Sequence, residues 1–150
     1  MTVTEFYDYR CPHCINIAPK VVDLIRTRPD VRFVFKEMPI FGDTSKHAAL
    51  VALAAKAQGK DYVGLYEGLM SQHGLTDEDV DRLAAAKGVD LAGLPALQAK
   101  DQAQLDDVAR LAQKLAIDGT PGFIVGNEIV HGEDYDGLQA AIAKAAAKQA

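Results

Sequence analysis

A chain of 150 residues with 49% hydrophobic, 25% charged and 7% aromatic residues is long enough to bury one core and too apolar to remain disordered. A formal net charge of −5 and a pI near 5.3 leave no basic surface for phosphate backbones or anionic lipid, which excludes nucleic acid as an expected partner. No apolar run approaches the roughly 18 to 20 residues that a membrane-spanning helix needs.

Met1 leads at once into Thr2 to Tyr7, a β-branched and aromatic run that predicts a strand. Neither a basic nor an apolar leader precedes it, so the chain reads as one trimmed at its N-terminus, and its compartment has to be inferred from chemistry. A helix is predicted from Pro12, a residue tolerated in a first turn, to about Arg28, with Cys14, Ile17, Ala18, Val21, Val22 and Ile25 on one face and a kink at Pro19. Val31 to Phe35 supplies the second strand of a βαβ unit. Between Asp43 and Ile117 the strand signal vanishes, and helices are predicted near 44–58, 61–72, 76–87, 94–99 and 101–116, with Thr76 and Asp79 as a capping-box start. Strands return at Gly122 to Val125 and Glu128 to His131, joined by the Gly126-Asn127 turn. A last helix over Tyr135 to Lys148 presents Leu138, Ala141, Ile142 and Ala145. This order predicts an α/β fold in which residues 1–42 and 117–150 build a four-stranded mixed sheet flanked by helices, and residues 43–116 form an inserted helical subdomain.

Both cysteines lie in Cys11-Pro12-His13-Cys14, where the first strand hands over to the first helix. A thiol at a helix N-terminus meets unpaired backbone N–H groups and the positive end of the helix dipole, which favour the thiolate. Cys11 is therefore the expected nucleophile, and Cys14, one helical turn inward and much less exposed, the expected resolving thiol. His13 is placed to donate a hydrogen bond, or a charge when protonated, toward the Cys11 sulfur. A structural zinc site would have to draw the two ligands beyond the cysteines from the scattered His13, His47, His73 and His131, and a purely structural disulfide closing so short a loop removes little chain entropy. Glu5 is an acid within an otherwise apolar strand, and Lys36 closes the second strand.

Together with Gly119-Thr120-Pro121-Gly122-Phe123, the segment Phe6-Tyr7-Asp8-Tyr9-Arg10-Cys11-Pro12-His13-Cys14 resembles the thioredoxin superfamily, and the large helical insertion resembles its DsbA-like thiol-disulfide oxidoreductases. The resemblance covers nearly the whole chain. It implies a thioredoxin fold, a cis peptide before Pro121, and pairing of the backbone at Thr120 with an extended substrate segment. It also implies a charged Glu5–Lys36 pair beneath the site, relaying a proton to the resolving cysteine. The implied activity is oxidation of dithiols in exported proteins through Cys11 and Cys14, with Pro12 and His13 tuning the pair. The implied substrates are unfolded or misoxidised proteins, with a membrane partner for reoxidation and a periplasmic or other extracytoplasmic location. Thr120 is similar to what disulfide isomerases of the superfamily carry, so a ScsC-like isomerase or reductase, oligomeric in a longer parent, is the alternative. A thiol protein that handles Cu(I) is another. No Gly-rich phosphate loop or flavin signature is present, and neither a nucleotide cofactor nor a resident metal is expected beyond the redox-active cysteine pair.

Overall fold

The computed structural model describes residues 1–149. In chain order its elements are β1 (Thr2–Tyr7), α1 (Pro12–Thr27), β2 (Arg32–Glu37), α2 (Asp43–Ala57), α3 (Tyr62–Met70), α4 (Asp77–Ala86), α5 (Leu94–Lys114), β3 (Gly122–Val125), β4 (Glu128–His131) and α6 (Tyr135–Gln149). The four strands form one mixed sheet in the order β2-β1-β3-β4, with β1 parallel to β2 and antiparallel to β3. A right-handed crossover through α1 is the ordinary way to join parallel neighbours, which is why a helix separates β1 from β2.

Strand alternation sorts the two faces of the sheet. Val3, Tyr7, Phe35 and Phe123 pack beneath α1, α3 and α6, whereas Phe6, Ile124 and Ile129 pack against Val108, Ala112 and Ile117 of α5 and the segment after it. The first of these cores continues without a break into α2 and α4 through Val51, Ala55, Val80 and Ala84.

Several sequence expectations shift. β2 extends beyond its apolar run, because pairing with Phe6 and Tyr7 of β1 carries it through Lys36 and Glu37. The two helices expected over 94–99 and 101–116 are one helix, since nothing at Lys100 or Asp101 breaks the backbone and Leu105, Val108 and Ala112 bury one continuous face. α1 runs through Pro19 as a single helix. The capping box forms as expected: Thr76 accepts from the Asp79 N–H while the Asp79 carboxylate accepts from the Thr76 N–H.

Candidate active site

β1 ends at Tyr7, and Asp8 makes the turn that delivers Cys11 to the helix. The buried Asp8 carboxylate accepts from the Arg10 N–H at 2.6 Å, the Ser45 hydroxyl at 2.8 Å and the Ile40 and Phe41 N–H groups at 2.7 and 3.0 Å. One side chain thus ties the approach to Cys11 to the segment that follows β2. Cys11 is the N-cap of α1, extended at φ −72° and ψ 122°, and Pro12 opens the helix where its missing N–H costs nothing. The Cys11 carbonyl accepts the Ile15 N–H at 3.0 Å.

The Thr120–Pro121 peptide is cis, and its segment lies against the cysteines, with the Cys11 thiol donating to the Thr120 carbonyl at 3.3 Å. Cys11 and Cys14 are both free thiols, only 2% and 0% exposed. The expected contrast in exposure is therefore absent, because the 120–121 segment covers Cys11 as the core covers Cys14. The contrast lies in ionisation. The Cys14 thiol hydrogen bond is the largest influence lowering the Cys11 thiol, to about 5; burial opposes it, and Thr120 with the Cys14 and His13 backbone N–H groups assists. Burial pushes Cys14 far the other way, well above the ordinary thiol range, and the hydrogen bond given to Cys11 adds to this. The Thr120 hydroxyl is buried, with no other partner among the described residues.

Two expected partnerships are corrected. The His13 ring bonds through Nδ1 to Glu133 Oε1 at 2.7 Å and makes no hydrogen bond to the Cys11 sulfur; its backbone N–H helps to lower the Cys11 thiol, and the Cys11 charge in turn helps to raise the imidazole. The Glu133 hydrogen bond and charge raise the His13 imidazole above its usual value, and Glu133 is lowered in turn. Glu5 and Lys36 form no ion pair. Glu5 pairs with Phe35 and Lys36 with Phe6, and a side-chain period of two places them on opposite faces of the sheet. Glu5 is fully buried with Tyr66 of α3, whose hydroxyl donates toward its two oxygens at 3.3 and 3.2 Å. Burial pushes its carboxyl up to about 8; the Tyr66 bond opposes this and the charge of Glu37 adds to it. Burial raises the Tyr66 hydroxyl, and the charges of Glu5 and Cys14 add to this.

Sequence reasoning missed Asp8, Glu37, Tyr66 and Glu133. Glu37 was signalled by its alternation with Phe33 and Phe35, which assigns it to the buried face, and Asp8 by its place before a turn. Tyr66 and Glu133 lie 52 and 119 residues from Cys14 and carry no local signal. Among the described residues no three metal-ligating side chains converge.

A thiol pair at a strand-to-helix turn, facing a cis X-Pro peptide on a sheet of this order, defines a thioredoxin-fold thiol-disulfide oxidoreductase. The thioredoxin family model matches residues 1–144, and the chain belongs to that family, in its DsbA-like branch. The thiol:disulfide interchange protein DsbA of Bordetella pertussis is 32% identical over 148 residues, spanning 90% of this chain and 70% of its own length. A thioredoxin-like oxidoreductase from Silicibacter pomeroyi superposes with a TM-score of 0.87 at 37% identity, covering 99% of this chain and 87% of that one. Proteus mirabilis ScsC in its compact conformation gives a TM-score of 0.87 at 26% identity, with coverage of 99% and 85%.

Proposed function

We propose that the protein oxidises dithiols of other proteins in an extracytoplasmic compartment, with the Cys11–Cys14 disulfide as oxidant. The observation that supports this reading best is the asymmetry of the sulfurs: Cys11 is stabilised as a thiolate, with a pKa near 5, while Cys14 holds its proton far above the ordinary thiol range. A stabilised reduced state makes the corresponding disulfide a strong electron acceptor. A substrate thiolate bonds to Cys11 Sγ and the Cys11–Cys14 bond breaks, its electron pair passing to Cys14 Sγ, which takes a proton from the Glu5 carboxyl. The second substrate thiolate then attacks the substrate sulfur of the mixed disulfide. Cys11 leaves as thiolate, so two electrons have moved from the substrate to the protein and the substrate carries the new disulfide.

Thr120 and Pro121 hold the substrate chain beside Cys11, and the clients are unfolded or misoxidised proteins. The chemistry needs no nucleotide or metal, since a membrane redox partner restores the disulfide. An oxidising compartment suits such a pair. The buried, otherwise unpartnered Thr120 hydroxyl beside the sulfurs favours a second reading, disulfide isomerisation, in which a ready Cys11 thiolate attacks wrong disulfides. The equilibrium reduction potential against glutathione buffers, read by mass after thiol trapping, separates the two. A value near about −120 mV supports the oxidase, one near about −180 mV supports the isomerase, and one near about −270 mV overturns both in favour of a reductase.

A further inference from the structure

Glu5 and Glu37 share one face of the sheet. In the parallel register Glu5 stands beside Phe35 and Tyr7 beside Glu37, so the two acids are diagonal neighbours on adjacent strands, roughly 7 to 8 Å apart. Both are buried, at 0% and 2% exposure, and neither has a basic partner among the described residues. Two carboxylates so placed repel each other, enough to separate their titrations by about one to two pH units.

Their surroundings decide which one is charged. Three phenols converge on Glu37 Oε1: Tyr7 of β1 at 2.5 Å, Tyr9 of the following turn at 3.0 Å, and Tyr62 of α3 in a still shorter contact. Glu5 has only the longer contacts to Tyr66. The remaining ionisable groups that face the pair are Asp8, whose charge also opposes ionisation of Glu37, and Cys14, whose charge acts on the Tyr66 hydroxyl as that of Glu5 does. Hydroxyl donors stabilise a carboxylate and do little for its neutral acid. The charge therefore falls on Glu37 and the proton stays on Glu5.

We propose that Glu37 is a positioning residue for the proton step: held ionised by Tyr7, Tyr9 and Tyr62, it keeps the Glu5 carboxyl protonated and ready to supply Cys14 as the Cys11–Cys14 bond breaks. The proposal rests on the reading above in which Glu5 is the donor. Burial raises both acids, but Glu37 only to about 7 against about 8 for Glu5, because the three phenols pull it back. Tyr62 also lines an open groove of about 290 Å³ with Arg32, Phe35 and Lys56, so one of the three phenols on Glu37 faces solvent on its other side.

The experiment is a pH titration of the reduced protein by carbon-13 NMR of labelled glutamate carboxyls, in wild type, Glu37→Gln and Tyr62→Phe. It is paired with the pH profile of disulfide cleavage by a dithiol peptide. In Glu37→Gln the Glu5 midpoint should fall by about one unit or more, and the alkaline limb of the cleavage profile should move down with it. In Tyr62→Phe the Glu37 midpoint should rise. A Glu5 midpoint that stays in place in Glu37→Gln overturns the proposal. Should that variant fail to fold, an unmoved Glu37 midpoint in Tyr62→Phe overturns it instead. If the Glu5 midpoint falls but Glu5→Gln keeps the wild-type cleavage profile, the proposal is also overturned, with the fault in the donor role of Glu5 and not in the carboxyl pair. A reductant's potential with an intact midpoint shift would instead reject the oxidase reading alone and support the paired carboxyls.

Discussion

At the entrance to the site, His13 and Glu133 form a contact between residues 120 positions apart, and it sets the partner of the imidazole. The ring is held at the rim by the β4–α6 connection, whose Gly132 N–H also bonds the Pro121 carbonyl at 2.8 Å, so the same short loop holds both sides of the cysteines. Because both members of the pair are solvent-exposed, its worth lies in orientation and charge state more than in stability. Glu133→Gln removes the acceptor charge, and the His13 imidazole should then titrate at lower pH, closer to its ordinary value. Proton NMR of the ring carbons checks this, and an unmoved midpoint would show that Glu133 does not hold the ring in solution. That Cys11 and Cys14 lie side by side at the head of α1 was legible from their spacing and position. The orientation of His13 was not, since its partner lies at the other end of the chain.

Among the elements, β3 is placed by the segment before it. Gly122 follows the cis peptide, pairs with Phe6 and His131, and leaves no room for a side chain: a Cβ there would lie 2.7 Å from Ile117 Cγ2. Ile117 is buried in the core beneath α5, on the sheet face opposite Glu5, and a β-branched side chain has little rotamer freedom with which to yield. Gly122→Ala should therefore destabilise the fold by about 1 to 3 kcal/mol, read as a lower urea midpoint at unchanged slope. An unchanged midpoint would mean that the 117–122 segment shifts without cost. The inserted helices matter for the same reason of placement. α3 brings Tyr62 and Tyr66 to the two buried acids, so the chemistry beneath the cysteines depends on an element that the βαβ unit and hairpin do not supply.

For the molecule as a whole, thiol ionisation and folding are linked. The Cys11 pKa is depressed from 9.0 to about 5, so its contribution to the stability of the reduced form is fully present above about pH 9, shrinks as pH falls and is lost below about pH 5. The oxidised form has no such thiol. Glu5 and Glu37 act with the opposite sign: their raised values stabilise the fold at acid pH and that contribution is lost as pH rises through about 7 and 8; both acids are present in either redox form, so the difference between the two forms chiefly reads Cys11. The stability of the reduced protein relative to the oxidised protein should therefore increase from about pH 5 to about pH 8, as measured by urea unfolding of each form across that range. A constant difference would contradict a stabilised Cys11 thiolate.

Local chemistry in the chain was enough to determine the element order apart from the single helix over 94–114, the hairpin turn at Gly126-Asn127, the capping box at Thr76 and the placement of Cys11 and Cys14 at the strand-to-helix turn. Each of these depends on residues within one turn or one strand of each other, where periodicity and backbone preference act directly. The tertiary structure decided what surrounds the pair. Strand register put Glu5 and Lys36 on opposite faces and Glu5 and Glu37 on the same one, and packing of α3 brought in the phenols that tell those two acids apart. The physical reason is that a charge buried away from water takes its state from whichever groups the fold brings within a few ångströms, and sequence distance says nothing about which those are.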